Sequence, residues 1–399
     1  MVNIQQILPE IFWAGASDRR LSRFENLFPL PNGVSYNCYV VVDDKTVLMD
    51  TADNGVNNQF MENVMHALNG RKLDYLVMHH MEPDHCSQIQ NILDVFPDVT
   101  IVGNAQTFKL LDQFYVTPVE YKKEVIKDGD ALETGHHRFV HYTTPMVHWP
   151  EVFMSFDETT GALFSADAFG TFGAIDSNIY ADECDFEKIY LDDSRRYYAN
   201  IVGKFGDQSQ AALKKLAGLD IKMLCPLHGP VWRTNIEYFL DKYQKWTTYT
   251  PEEDGYVLVY GTMYGNTASA ACAAAAQIQA KSKKPVAVFD VSETHASYIV
   301  SEVWRFKNVV LFAPTYNAGL YMPMEALLND LGALGIRNRN FFIAENGSWG
   351  PMAGKIMKAK TETFKNCTVM EEVFTVKGAL HAHDAERLDE WTSKVVEMS

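Results

Sequence analysis

Four metal-competent side chains crowd into six residues, His80-Met81-Glu82-Pro83-Asp84-His85. They follow the apolar run Leu73-Asp74-Tyr75-Leu76-Val77-Met78, which reads as a buried strand. One His after a strand is ordinarily a solvated loop residue; four candidate ligands at this spacing read instead as a metal site at the strand's mouth. With extended backbone, His80, Glu82 and Asp84 point to one side at period two, and His85 follows where the chain turns. Pro83 restricts Glu82 to extended geometry and supplies no amide donor. His79 points the opposite way and is read as structural or supporting.

Three further candidates recur at the same kind of position. His148 follows the strand pattern at residues 139–147 and sits between prolines, Asp167 ends the run at residues 161–167, and His228 ends residues 221–228 before Gly229-Pro230. Each alone is the mark of a satisfied structural residue. Their recurrence at strand ends makes a set. Three carboxylates and four imidazoles without a thiolate form a hard N/O shell suited to iron or manganese. Cys86 adjoins the stretch and is read as a small buried thiol.

The surrounding segments alternate strands and helices. Residues 11–14 and 35–42 read as strands, and residues 45–50 return after Asp43-Asp44 as a hairpin partner. Residues 57–68 have helical spacing ending at Asn69-Gly70, residues 87–96 read as a second helix, and residues 100–103 as the next strand. This half is α/β with two sheets. Residues 242–253 carry a polar break, taken as the linker, which divides the chain into residues 1–249 and 250–399.

The second region has a different pattern. A strand at residues 255–260 runs into Gly261-Thr262-Met263-Tyr264-Gly265-Asn266-Thr267 and then an alanine-rich helix. Small and hydroxyl residues between a strand and a helix N-terminus cradle a phosphate through backbone N–H groups. No Walker lysine and no G-x-G-x-x-G follow, which disfavours a nucleoside triphosphate or a dinucleotide. Two later strands, residues 308–313 and 340–344, lead into Pro314-Thr315-Tyr316-Asn317-Ala318-Gly319 and Glu345-Asn346-Gly347-Ser348-Trp349-Gly350. Three loops at strand C-termini, with Tyr316 and Trp349 suited to stack on a flat ring, read as a flavin-mononucleotide site.

Over almost its whole length the chain resembles the flavodiiron proteins, or A-type flavoproteins. The resemblance rests on the order His-x-Glu-x-Asp-His, His, Asp, His and on a flavodoxin-like phosphate loop matched at Thr262, Gly265, Asn266 and Thr267, with Tyr264 where many flavodoxins have Thr. It implies a metallo-β-lactamase-like αββα domain followed by a flavodoxin-like doubly wound parallel sheet. It implies one iron on His80, Glu82 and His148, a second on Asp84, His85 and His228, and Asp167 bridging them. It implies that FMN passes electrons from an external donor, rubredoxin first and the deazaflavin F420 second, to a diiron site that reduces O2 to water, NO to N2O, or both. The resemblance further implies a head-to-tail homodimer, or a dimer of dimers, and the order of regions corresponds to the minimal two-domain class. Many relatives carry a His after an Arg-x-Phe near the N-terminus, lining the diiron pocket. Here Arg23-Phe24-Glu25 puts a carboxylate there and leaves the preference between oxygen and nitric oxide open.

Two readings from other classes remain: a dinuclear zinc hydrolase fused to a flavodoxin-like domain, disfavoured by Glu82 where hydrolytic relatives have His, and a flavodoxin-like electron carrier with a structural lactamase-like module. Composition bounds all three. A net charge of −16 argues against nonspecific binding to nucleic acid or anionic membranes. No apolar run approaches bilayer length and no signal-peptide pattern opens the chain, so a soluble cytoplasmic protein is expected. Cys38, Cys86, Cys184, Cys225, Cys272 and Cys367 show no C-x-x-C, which excludes a zinc ribbon or rubredoxin-type iron and fits reduced thiols.

Overall fold

Period-two alternation builds the first sheet. Tyr39–Val42 and Thr46–Met49 pair antiparallel across Asp43-Asp44, with Tyr39 opposite Met49 and Val41 opposite Val47. These four side chains enter one core with Val77 and Val102, from the strands Tyr75–Val77 and Thr100–Gly103. The intervening Val40, Leu48, Leu76 and Ile101 are fully buried as well, so both faces of the sheet are covered.

The computed structural model describes residues 2–114, 120–175 and 178–399. Among them a seven-stranded sheet runs in the order Gln5–Leu8, Ile11–Trp13, Tyr39–Val42, Thr46–Met49, Tyr75–Val77, Thr100–Gly103, Lys122–Val125. The first four strands are antiparallel neighbours and the last three join in parallel. A second sheet, Ala131–Glu133, Arg138–Thr143, Phe153–Asp157, Ala162–Phe164, Met223–Cys225, contributes Phe139, Phe153, Phe164 and Met223 to the same core. Each large apolar side chain fully buried there stabilises by about 1.5–3 kcal/mol.

Three expectations shift. The strand expected over residues 35–42 is interrupted: Val34–Tyr36 pairs with Ala16–Asp18 instead. Asn37 is the cause. Its buried amide donates to Pro226 O (2.8 Å) and Gly229 O (2.7 Å) and accepts from Trp13 Nε1 (2.9 Å), clamping the loop that carries His228. The helix expected over residues 87–96 is Ile89–Val95, preceded by a separate turn Pro83–Cys86. The polar break begins later than expected, because the helix Ile236–Thr247 runs into it.

The second sheet system is parallel along its main path: Val286–Asp290, Glu253–Tyr260, Phe306–Tyr316, Asn340–Asn346, then Thr368–Val369 and Phe374–Val376 beside Asn340–Asn346. In chain order this is 2-1-3-4-5, the flavodoxin-like winding. The alanine-rich helix Asn266–Ser282 buries Ala270, Ala271, Ala274, Ala275 and Ile278 against Tyr256, Leu258, Val310 and Phe312. Side chains this small let a helix lie close to the sheet. The chain divides into two compact units that are not contiguous in sequence: Met1–Tyr198 with Asp207–Tyr243, and Ala199–Gly206 with Gln244–Ser399. No helix among the described residues is long and apolar enough to cross a membrane.

Candidate metal centre and ligand cavity

The strand Tyr75–Val77 delivers the metal stretch, and Asp50 receives it. Asp50, at φ +57°, accepts from the amides of His79 (2.8 Å) and His80 (3.3 Å) through one oxygen and binds His79 Nδ1 (2.6 Å) with the other. His79 thus turns away and also meets Ser155 Oγ (2.7 Å), the supporting role its position predicts. Extended backbone reaches Glu82 (φ −64°, ψ 141°) but not Asp84, which the period-two reading had kept on the strand. Pro83 instead opens a helical turn, where its fixed φ suits the first position and its missing N–H costs no hydrogen bond. That turn swings Asp84 and His85 away from Glu82 into a second group.

The seven candidates converge in two sets. His80 Nε2, Glu82 Oε2, His148 Nε2 and Asp167 Oδ2 lie 3.1–3.4 Å apart in the contacts they make. Asp84 Oδ2, His85 Nε2 and His228 Nε2 stand 3.4, 3.3 and 3.0 Å apart. Asp167 faces both, with Oδ1 3.2 Å from His85 Nε2 and 3.7 Å from His228 Nε2. His80, His85, His228 and Asp167 are fully buried.

The tautomers are set from outside. Glu151 Oε1 lies 2.8 Å from His80 Nδ1 and the Ser35 carbonyl 2.6 Å from His228 Nδ1. Each Nδ1 therefore donates outward to an oxygen, which leaves Nε2 facing inward as the atom a metal would take. Burial opposes charge on His80, His85 and His148, but the carboxylates around them win. His80 is raised well above its ordinary value, and His85 and His148 are raised to about 9. Burial likewise pushes Asp167 up, yet His80, His85 and His148 hold it far below the usual carboxylate range. The site demands positive charge at its centre. Both Asp84 oxygens and Asp167 Oδ1 are buried without a hydrogen bond among the described residues, and two imidazole Nε2 atoms confront each other at 3.0 Å. A pair of cations answers all of these at once. The donor groups include no sulfur: Cys86 is buried, donates to Met81 O (3.3 Å), and is raised to about 12 by burial.

Several neighbours escaped sequence reasoning. Glu151, Ser35 and Asp50 act through backbone folding that brings distant segments together, and no spacing announces them. Tyr197 is buried beside Asp167, and burial raises its hydroxyl well above the ordinary value, so it keeps its proton. Phe24, Tyr36 and Tyr197 wall His228 at ring separations of 5.4, 5.7 and 5.5 Å. Glu25 is exposed as a residue, but its carboxyl lies against Glu82, and partial burial with that neighbour raises it to about 8.

In the second unit a cavity of about 550 Å³ opens at the strand C-termini. Thr262, Met263, Tyr264, Asn266, Thr267, Pro314, Thr315, Asn317, Ala318, Asn346, Gly347, Ser348, Trp349 and Gly350 line it, as does Gly378, which no motif marked. Gly265 is not among the lining residues; it caps the helix Asn266–Ser282 at φ +90°, a conformation L-residues avoid, with its amide donating to Thr262 Oγ1 (3.0 Å). Tyr316 and Gly319 do not line the cavity. They pair with each other across the turn Asn317-Ala318, so the stacking residue expected at Tyr316 is not among those lining the cavity. Asn346 ties the loops together, donating to Thr267 Oγ1 (3.2 Å) and Gly378 O (2.7 Å) and accepting from Gly378 N (3.0 Å). Trp349 and Tyr264, 87% and 93% exposed, leave two aromatic faces uncovered at the rim, as a site for a flat ring requires.

This pairing of a two-metal sandwich with a flavodoxin-like sheet defines a class, and comparison with known proteins identifies it. Residues 34–229 match the family described as ODP family beta lactamase. The anaerobic nitric oxide reductase flavorubredoxin of Klebsiella pneumoniae is 30% identical over 356 residues, which span 88% of this chain and 73% of that protein. An uncharacterized protein of Methanocaldococcus jannaschii is 29% identical over 94% of both chains. Among solved structures, rubredoxin oxygen:oxidoreductase from Desulfovibrio gigas superposes with a TM-score of 0.92 at 24% identity, covering 99% of this chain and 98% of that one. The flavodiiron protein from Giardia intestinalis gives 0.92 at 22% identity, over 100% and 98%. The chain belongs to the flavodiiron family of A-type flavoproteins. It is a flavodiiron oxidoreductase, with FMN and a diiron centre as its cofactors.

Proposed function

We propose that this cytoplasmic flavodiiron protein takes electrons from an external carrier, rubredoxin first and F420 second, and reduces O2 to water, NO to N2O, or both. His80, Glu82 and His148 would hold one iron, Asp84, His85 and His228 the other, with Asp167 shared. Bound iron supplies the redox change and the affinity for a small diatomic that no side chain here has. The carboxylates of Glu82, Asp84 and Asp167 favour the ferric pair. Glu151 and the Ser35 carbonyl keep the imidazoles oriented. Phe24, Tyr36 and Tyr197 exclude bulk water on the His228 side, and the Tyr197 hydroxyl keeps a proton beside Asp167. Reduction of O2 to two waters consumes four electrons and four protons; coupling two NO to N2O and water consumes two of each. Both chemistries have support among relatives, one named a nitric oxide reductase and one a rubredoxin oxygen:oxidoreductase. The homodimer, or dimer of dimers, rests on the same kinship.

One observation carries the reading: Asp167 turns one oxygen to each donor set, and its Oδ1 is buried without a hydrogen bond among the described residues. The test is anaerobic reduction of the flavin by each donor, followed by O2 or NO uptake on iron-loaded protein. Stoichiometric zinc with no iron-dependent uptake would overturn it.

A further inference from the structure

Away from the diiron centre, two turns of the first unit bring together a carboxylate and two imidazoles. Glu10 stands in the turn between Gln5–Leu8 and Ile11–Trp13, at φ +62°. His136 and His137 stand in the turn between Ala131–Glu133 and Arg138–Thr143. Glu10 Oε2 lies 3.0 Å from His136 Nδ1 and 3.3 Å from His137 Nε2.

The support behind this group is built. His137 is fully buried, and its Nδ1 lies 2.8 Å from Asp157 Oδ2. Asp157 also accepts from Thr160 Oγ1 (2.5 Å) and from the Thr159 amide (3.1 Å), which keeps it ionised. Nδ1 therefore carries the proton, in the carboxylate–histidine arrangement that orients metal ligands. Asp43 Oδ2 fixes the backbone of both histidines, accepting from the amides of His136 (2.7 Å) and His137 (3.0 Å). What remains is His137 Nε2, a buried nitrogen with no hydrogen bond among the described residues, aimed at Glu10. A doubly protonated His137 between Asp157 and Glu10 is the competing account. It leaves Nε2 facing Glu10 at 3.3 Å without hydrogen-bond geometry and the His136 ring in a single hydrogen bond to the same oxygen (3.0 Å), whereas a cation would engage both rings and the carboxylate together.

We propose that Glu10, His136 and His137 form a further metal site, for zinc or another late first-row divalent cation, that clips the N-terminal hairpin to the second sheet. His137 binds through Nε2, His136 through Nδ1 once its proton moves to Nε2 or leaves, and Glu10 through Oε2; water completes the shell. The partial exposure of His136 (64%) and Glu10 (41%) gives the ion a way in.

The probe is zinc chloride added to full-length, iron-loaded protein, with bound zinc and retained iron both measured. A single zinc per chain is expected with the iron undisturbed, together with a rise in Tm. His136→Ala and Glu10→Gln change exposed side chains, so both variants should fold and keep iron and flavin while losing zinc affinity by about tenfold or more and losing the Tm rise. Cobalt(II) in place of zinc should show the visible absorption of a nitrogen–oxygen site in wild type only. Zinc uptake that merely displaces iron, or equal uptake by both variants, would overturn the proposal. So would a His137 ring that keeps both N–H protons in saturating zinc by nitrogen NMR.

Discussion

Replacing Glu151 by Gln separates the orientation of His80 from its presence. Glu151 is fully buried, and its Oε1 accepts from His80 Nδ1 and from the Met81 amide, each at 2.8 Å, while Oε2 has no hydrogen bond among the described residues. A hydrogen bond to a charged partner contributes about 1.5–3 kcal/mol and a neutral one about 0.5–1.5. The His80 bond therefore loses about 1–1.5 kcal/mol. The metal-free ring is still held through Nε2 by Glu82 (3.3 Å) and Asp167 (3.4 Å), whereas a metal-bound ring has only Nδ1 left for a hydrogen bond, so most of that loss falls on the metal-bound state. At 1.4 kcal/mol per decade, iron should bind about tenfold more weakly on the His80 side. The Met81 bond is made with or without metal and drops out of that difference. The new amide NH2 occupies the place of Oε2, buried without an acceptor, at a folding cost of about 1–3 kcal/mol. A chelator-buffered iron titration with Mössbauer detection, run beside denaturant unfolding, reads the two effects separately. The outcome should be one weakened iron, one unaffected iron, and lower stability. Equal weakening of both irons, or none, would refute the reasoning that Glu151 acts through His80 alone.

Other perturbations reach different parts of the molecule. Asp167→Ala removes the carboxylate that faces both sets; both irons should be lost while FMN stays bound and reducible, and O2 uptake should then yield hydrogen peroxide in place of water. His148→Ala should leave the Asp84, His85, His228 iron in place, which elemental analysis can count. Gly265→Val with Thr267→Ala should weaken FMN by about tenfold: a Cβ at 265 meets open space, so the strain comes from φ +90° and costs about 1–2 kcal/mol, read by flavin fluorescence on titrating the apoprotein. Asp43→Asn tests acid stability. Burial pushes the Asp43 carboxyl up, but hydrogen bonds from the His137, Asp44 and His136 amides and the Thr134 hydroxyl hold it below its ordinary 3.8. Its stabilisation is therefore complete above that pH and lost as pH falls through the lower folded value, so the Tm gap between wild type and variant should be full at neutral pH and close below about pH 4.

Much of this architecture was legible because its physics is local. The helix Asn57–Leu68 has the expected bounds, ending on Asn69 at φ +48°, since a left-handed cap suits Asn. The strand Thr100–Gly103 likewise matches, its apolar run being buried on both faces. Where a residue's role depends on a partner far along the chain, the reading failed. Asn37 read as one more strand position until its amide met Pro226 and Gly229, and the stretch from 80 to 85 read as extended until Pro83 opened a helical turn. At the metal site the ligating chemistry was visible as residue types at strand ends. The groups that aim those ligands, Glu151 and a backbone carbonyl at Ser35, were invisible because nothing in sequence marks an acceptor that lies more than a hundred and ninety residues from its imidazole, as Ser35 does from His228.

The segment Ala199–Gly206 packs with the flavin-binding unit although it lies within the sequence of the other. It holds on through Asn200 Nδ2 to the Ser297 carbonyl (3.1 Å) and through its Gly203 carbonyl, which accepts from the Tyr249 hydroxyl at 2.6 Å. Shuffling of the flavin half between proteins, by recombination or by cloning, therefore has no single crossover point. A fragment starting near residue 244 would lose the Gly203 carbonyl that accepts from the Tyr249 hydroxyl, and a functional transplant has to carry eight residues from the middle of the other unit's sequence as well.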